Sequence, residues 1–274
     1  MTTAVFDTKK LLDMGFEPAG GGRATLSGPA LRLMDVWRAY LRRAFEPYRP
    51  TVCAAPPWIA EETLATAKYL ANFPHQLTPA PDAPDGGGER YAAPAACLHL
   101  YPQLAEAGVG PDGYAALIEG RCSRREGGEW RFPFRLAEFH MLELVLVGDA
   151  GFVEGRRAEV ERTMAETLGS VGLGGRFEPA TDAFFLGVTS GAQMMQKLKG
   201  LKREYIVSLG EERVAICSLN AHEDYFGRAF GIESGRPPGP AHSLCAAFGL
   251  ERLVACCLAL WGADSAHRLE ELSR

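Results

Sequence analysis

No unbroken apolar stretch in the 274 residues is long enough to cross a membrane, and the opening Met1-Thr-Thr-Ala-Val-Phe6 lacks the basic-then-apolar order of an export signal. A cytoplasmic location is the expectation. There is no internal repeat, and no Gly-rich turn joins a strand to a helix, which excludes a Rossmann or P-loop reading. There is no short Cys-x-x-Cys pair. The seven cysteines, at 53, 97, 122, 217, 245, 256 and 257, are odd in number and too scattered for a secreted disulfide framework, so reduced thiols, mostly core filler, are expected. No Ser/His/Asp or Cys/His arrangement suggests covalent catalysis. A net charge of −5 gives no general attraction to phosphate backbones, so nucleic acid is not favoured as a partner.

What is present is a globular composition, 47% hydrophobic and 23% charged, of a length suited to one main domain over residues 1–274. After Gly20-Gly-Gly22, Ser27 is placed to cap a helix in which Leu31, Met34, Trp37, Leu41 and Phe45 recur at helical spacing, with Arg38, Arg42 and Arg43 on its other side. Residues 51–58 read as a short strand broken by prolines, 60–70 as a second helix and 78–90 as a linker rich in Pro, Gly and Asp. Residues 92–101, 116–124, 130–135 and 138–147 read as strands, 153–168 as a helix, 204–209 and 213–219 as a hairpin, and 250–260 as a closing helix. Strands joined by short turns predict an α+β fold, an antiparallel sheet flanked by helices.

Charged residues cluster on these strands. Arg124 and Glu126 are two apart and therefore share a sheet face, and Arg135 precedes Phe139, Met141 and Glu143, which share another. An arginine can grip a phosphate, a glutamate can accept from an adenine amino group, and Phe139 offers a flat surface for a base. Arg252 falls in the first turn of the last helix, where a cation joins the positive helix end in attracting distal phosphates. The plain alternative for such charges is a solvated strand face or an ion-pair ladder. Cys97, Glu143 and Cys245 offer two thiolates and a carboxylate, a plausible zinc set with one open position, although buried cysteines are more often packing than ligands. Glu138 competes with Glu143 for the carboxylate position.

Arg124-x-Glu126, Arg135-x-x-x-Phe139 and Gly249-Leu-Glu-Arg252 resemble motifs 2 and 3 of class II aminoacyl-tRNA synthetases, and the Pro56-Pro57 strand is similar to motif 1. The Cys, Glu, Cys set resembles the zinc site of archaeal-type seryl-tRNA synthetases. Nearly the whole chain resembles the amino acid:[carrier protein] ligases, truncated relatives of those synthetases. The similar segments are Ala93-Pro-Ala-Ala-Cys97, 218–227 from Ser218 through Asn220 to Gly227, and 241–252 from Ala241 to Arg252.

The resemblance implies a class II catalytic core without an appended tRNA-binding domain. Arg124, Glu126 and Arg252 would be its catalytic residues, with Arg135 and Phe139 helping to bind ATP and Mg2+. Zn2+ would sit on Cys97, Glu143 and Cys245, and Ser218 and Asn220 would form a pocket wall. A small amino acid (glycine, alanine or serine) would be activated as its adenylate and passed to the phosphopantetheine thiol of an acidic carrier protein. Arg38, Arg42 and Arg43 are one place for the carrier to dock, or simply a solvated helix face. A homodimer is implied; tRNA is disfavoured by the short 127–134 loop. Lys197, Lys199 and Lys202 read as a solvated or phosphate-facing ridge. Minimal tRNA aminoacylation and a non-catalytic paralogue remain the rival readings.

Overall fold

The computed structural model describes residues 8–81, 88–125, 130–180 and 200–272. Glu126, assigned above to the adenine amino group, lies outside the described residues, as do Lys197 and Lys199.

The chain begins with α1 (Thr8–Asp13), the hairpin β1 (Phe16–Gly20) and β2 (Arg23–Leu26), and the long α2 (Gly28–Phe45). Then follow β3 (Thr51–Ala54), β4 (Trp58–Ala60), the short α3 (Glu61–Thr66) and α4 (Tyr69–Asn72), β5 (Arg90–Ala92) and α5 (Leu100–Ala107). The centre is built from β6 (Tyr114–Ser123), β7 (Glu138–Gly148), α6 (Ala150–Ser170), β8 (Gly175–Pro179), β9 (Lys202–Leu209) and β10 (Glu212–Glu223). α7 (Tyr225–Phe230), β11 (Glu233–Ser234), β12 (Gly239–Pro240), β13 (His242–Gly249), α8 (Leu250–Trp261) and α9 (Ser265–Leu272) complete it.

Seven strands form one sheet in the order β3-β6-β7-β13-β10-β9-β8. Its pairings are antiparallel except for β3, which lies parallel to β6 at one edge, so the sheet is mixed. The late strand β13 is inserted between β7 and β10, which joins segments distant in sequence. Period-two alternation then sorts side chains between two layers. Leu142, Leu144 and Leu146 of β7, with Leu244, Ala246 and Phe248 of β13, face the core made with α2, α6 and α8. Met141 and Val145, with Cys245 and Ala247, belong to the second cluster, with Leu98, Tyr101 and Phe226.

α2 buries Leu33, Met34, Trp37, Tyr40, Leu41 and Phe45. Leu31 points outward and is 45% exposed, because at 3.6 residues per turn it lies about 120° around the helix from Trp37. Ser27 occupies the N-cap position, but its side chain makes no capping hydrogen bond. The helix expected over 60–70 is split at Lys68, whose φ of 56° is left-handed.

Two expected strands are absent. Of the 92–101 segment only Ala92 is extended, as the last residue of β5; Cys97–His99 form a tight helical turn leading into α5. Pro94 lacks an N–H for a ladder, and a run of small buried residues carries no periodicity that separates strand from turn. Residues 130–135 form a turn closed by the Arg131 and Arg135 backbone groups, at 3.0 and 2.7 Å, instead of a strand.

Asp149 caps α6, its Oδ1 accepting from the Phe152 N–H at 2.7 Å. Asp149→Ala removes that bond, and a loss of about 1 kcal/mol is expected, read as a lower urea midpoint at unchanged m-value.

Candidate active site

The register across β7, β13, β10 and β9 brings the candidate residues together. Glu143 lies opposite Ala247, Ala247 opposite Ser218, and Ser218 opposite Glu204. One step along, Cys245 faces Asn220, and Asn220 faces Lys202. Directly paired residues share a sheet face, so these side chains form one floor. Asn220 lies inside β10, which runs on to Glu223, and not in a turn after a strand.

A cavity of about 570 Å³ opens over this floor. Its lining includes Arg124, Arg135, Phe139, Glu143, Ser218, Asn220, Cys245 and Arg252. Cys97 reaches the same place from the turn before α5. The ligand atoms of Cys97, Glu143 and Cys245 all lie within 4.8 Å of one another, and all three residues are buried. Glu138 is turned away and pairs with Arg121 at 2.9 Å, which leaves Glu143 as the carboxylate of the cluster.

Glu143 is held by the main chain. Its Oε1 accepts from the Ala96 N–H at 3.0 Å and its Oε2 from the Cys97 N–H at 3.1 Å, while the Cys245 thiol donates to Oε2 at 3.3 Å. Without a cation the thiols resist ionisation. Cys97 is driven well above the usual thiol range by its hydrogen bond to Cys245, then by burial and the Glu143 charge. For Cys245 the bond to Cys97 pulls downward, yet burial and Glu143 leave it at about 11. A divalent cation reverses this balance by favouring thiolates. Two sulfurs and one carboxylate at this spacing suit a tetrahedral, thiophilic ion such as zinc, with a position left for a further ligand.

Behind Cys245, Ser243 Oγ lies 2.9 Å from His222 Nδ1 and accepts from the Tyr101 hydroxyl at 3.4 Å. Burial lowers His222 to about 3, so it is a neutral structural ring.

At the other end, Arg124 stands 5.4 Å above the Phe139 ring centroid, and its Nε donates to Pro94 O at 2.7 Å. Arg252, in the first turn of α8, donates from Nε to Phe134 O and from Nη1 to Ala215 O, both at 2.8 Å. Main-chain carbonyls thus orient both guanidinium groups before any anion arrives. Lys202 does not belong to a solvated ridge: it is 7% exposed, lines the cavity and pairs with Glu204 at 3.4 Å. Glu204 and Glu251 are cavity residues given no site role by the sequence reading, which places Lys202 only on a solvated or phosphate-facing ridge. Parity with Ser218 and Asn220 across the hairpin was the available signal for Lys202 and Glu204. On α2, Arg38 bonds Glu119 and Asp35, each at 2.7 Å, so of Arg38, Arg42 and Arg43 only the last two are exposed.

Cys122, Cys217, Cys256 and Cys257 are core residues, and burial raises all four thiols, Cys256 to about 12. Unfolding releases these thiols to ionise at about 8.5, so the native state holds more protons above that pH and stability falls as pH rises. The urea midpoint at pH 9.5 is expected below that at pH 7.5; replacing Cys256 by Ala should shrink the difference.

No family model matches the chain. Among solved structures, it resembles the seryl-tRNA synthetase of M. kandleri, in complex with A. aeolicus tRNASec, with a TM-score of 0.79 at 19% identity, over 96% of this chain and 60% of that one. The Pyrococcus horikoshii seryl-tRNA synthetase complexed with ATP gives 0.75 at 14% identity, over 92% of this chain and 57% of that one. These likenesses establish the class II synthetase fold, and the chain spans less than two thirds of either synthetase. Two curated relatives come from Bradyrhizobium diazoefficiens. Amino acid–[acyl-carrier-protein] ligase 1 is 30% identical over 237 residues, 76% of this chain and 71% of the relative. Ligase 2 of the same name is 33% identical over 253 residues, 83% of this chain and 75% of the relative. A match of that depth across three quarters of a relative, on a class II synthetase fold, makes this chain a ligase of the amino acid–[acyl-carrier-protein] ligase family.

Proposed function

We propose that the protein activates a small amino acid with ATP and passes it to the phosphopantetheine thiol of a carrier protein. One observation carries the reading: a single cavity is lined by Arg124, Phe139 and Arg252 at one end and by Glu143 and Cys245, with Cys97 beside them, at the other. The names of the Bradyrhizobium relatives support a carrier protein as acceptor.

Phe139 stacks the adenine. Arg124 holds the α-phosphate, Arg252 the distal phosphates that accompany Mg2+, and Arg135 adds positive charge at the cavity wall. Glu126 is assigned to the adenine amino group by its place in the motif alone. Cys97, Glu143 and Cys245 hold zinc, which supplies a Lewis-acid position for the substrate amino group. Ser218 and Asn220 form the wall beside that end. Asn220 Nδ2 donates to Ser218 Oγ at 3.1 Å, and its Oδ1 is buried without a hydrogen-bond partner, an acceptor facing a polar substrate.

The amino acid carboxylate oxygen attacks the α-phosphorus, the bond to the β-phosphate bridging oxygen breaks, and pyrophosphate leaves. The carrier thiolate then attacks the acyl carbon and AMP departs with the electrons of the broken C–O bond. Arg124 and Arg252 face the charge that spreads over the phosphoryl oxygens in the first step. Glycine, alanine and serine are the substrates proposed for the amino-acid end. Arg42 and Arg43 are one docking face for an acidic carrier, and charge reversal at both should slow transfer without slowing adenylate formation. A homodimer through the open edge of β3, where Val52 is 53% exposed, completes the proposal.

Amino-acid-dependent ATP–pyrophosphate exchange tests the first step. Exchange is expected with one small amino acid, with loss on chelation and return on adding zinc. Arg124→Ala should lower it by about a thousandfold or more, in line with losing an aligned charge at a transition state. Exchange surviving in Arg124→Ala removes the phosphate assignment, and charging of total tRNA in place of a carrier redirects the second step.

A further inference from the structure

Glu251 precedes Arg252 on α8, is 5% exposed and lines the cavity. Its carboxylate is directed at the edge of β7. Oε2 accepts from the His140 backbone N–H at 2.8 Å, and Oε1 from the ring Nδ1 of the same residue at 2.7 Å. The position of His140 explains why. The β7–β13 ladder ends at Met141 opposite Gly249, after which the chain of β13 turns into α8. His140, one residue beyond the last rung, has no strand partner on that side, and the Glu251 carboxylate stands where a main-chain carbonyl would otherwise be. Leaving a half-buried N–H unpaired is unfavourable, and a charged acceptor makes a stronger bond than a neutral one. The first turn of a helix also favours a carboxylate there.

The neighbour of His140 is Phe139, whose ring lies under Arg124, and the neighbour of Glu251 is Arg252. We infer that Glu251 is a positioning residue for the nucleotide. Through its two bonds to His140 it fixes the backbone carrying the Phe139 ring relative to the helix carrying Arg252, so that base and phosphates are held in one geometry. This rests on the nucleotide reading of the cavity and adds a residue to it. The amino-acid end is tied separately, through Glu143, and is not expected to feel the change.

The test compares wild type with Glu251→Ala, Glu251→Gln and His140→Ala, measuring the ATP dissociation constant by calorimetry and the KM of ATP and of the amino acid in pyrophosphate exchange. Glu251→Ala should weaken ATP about tenfold by both measures, the scale of one charge-assisted hydrogen bond, with the amino acid KM within about twofold of wild type. Glu251→Gln should recover most of the loss, because its amide oxygen still accepts from the His140 N–H. His140→Ala keeps the backbone bond and should show a smaller loss; it decides the matter alone if Glu251→Ala does not fold. Unchanged ATP binding in the alanine variants, equal losses for ATP and amino acid, or a glutamine variant as weak as alanine overturns the inference. Wild type that binds ATP yet exchanges with no amino acid sinks the functional reading while leaving this inference open to the calorimetric comparison. Wild type that binds no ATP sinks both.

Discussion

A carboxylate buried in the middle of the sheet is the constraint from which the site follows. Glu143 is 1% exposed, and an uncompensated charge in that position costs several kcal/mol. The chain compensates it with two successive amides, of Ala96 and Cys97, and with the Cys245 thiol. Two neighbouring N–H groups converge on one carboxylate only if their segment turns, since in a strand they would point to opposite sides. The turn that satisfies Glu143 therefore also delivers Cys97, and the insertion of β13 beside β7 delivers Cys245. The three candidate metal ligands meet because the glutamate needs partners.

Glu251 repeats the device at the far end of the cavity. It too is nearly buried, and it too takes a main-chain N–H, that of His140, where the ladder stops. Arg124 and Arg252 are held in the complementary way, by the carbonyls of Pro94, Phe134 and Ala215. In these four residues carboxylates capture amides and guanidinium groups capture carbonyls, so each of the four is aimed by backbone. A site aimed in this way needs little reorganisation when a polyanion enters, which is the basis of electrostatic preorganisation.

Much of this was legible in the sequence where periodicity was strong. The apolar strand 138–147, the length of α2, the β9–β10 hairpin and α8 follow from hydrophobic patterning, and the class II fold from motif order. The strand expected at 92–101 was not legible as a turn, because its conformation is set by Glu143, 46 residues beyond Cys97, and local composition carries no trace of that contact. Leu31 misleads for a simpler reason: it extends the apolar series at the correct interval yet lies beyond the buried arc. For Lys202 the sequence left a solvated or a phosphate-facing ridge open; its burial comes from its position opposite Asn220 on the cavity floor. The choice between Glu138 and Glu143 needed the register, which sends Glu138 to Arg121 and Glu143 inward.

The strands also act as a ruler. On β7, Phe139 and Glu143 are four residues apart, and on β13 so are Cys245 and Gly249, the residue before the helix that carries Arg252. At about 3.3 Å per residue both intervals are about 13 Å, so the thiol and carboxylate cluster lies the same distance from the aromatic ring as from the start of α8. An amine joined through carboxyl, phosphate and ribose to a base has a comparable length. The proposed adenylate would span this interval with its two recognised ends on opposite sides of the cavity, its base and phosphate at the end where Arg124 stands over the Phe139 ring. A shift of the β7–β13 register by two residues would keep every side chain on its face but move Cys245 by nearly half that length relative to Glu143, separating the cluster. Register, more than the identity of any one ligand, is what lets one cavity hold both ends of the proposed intermediate.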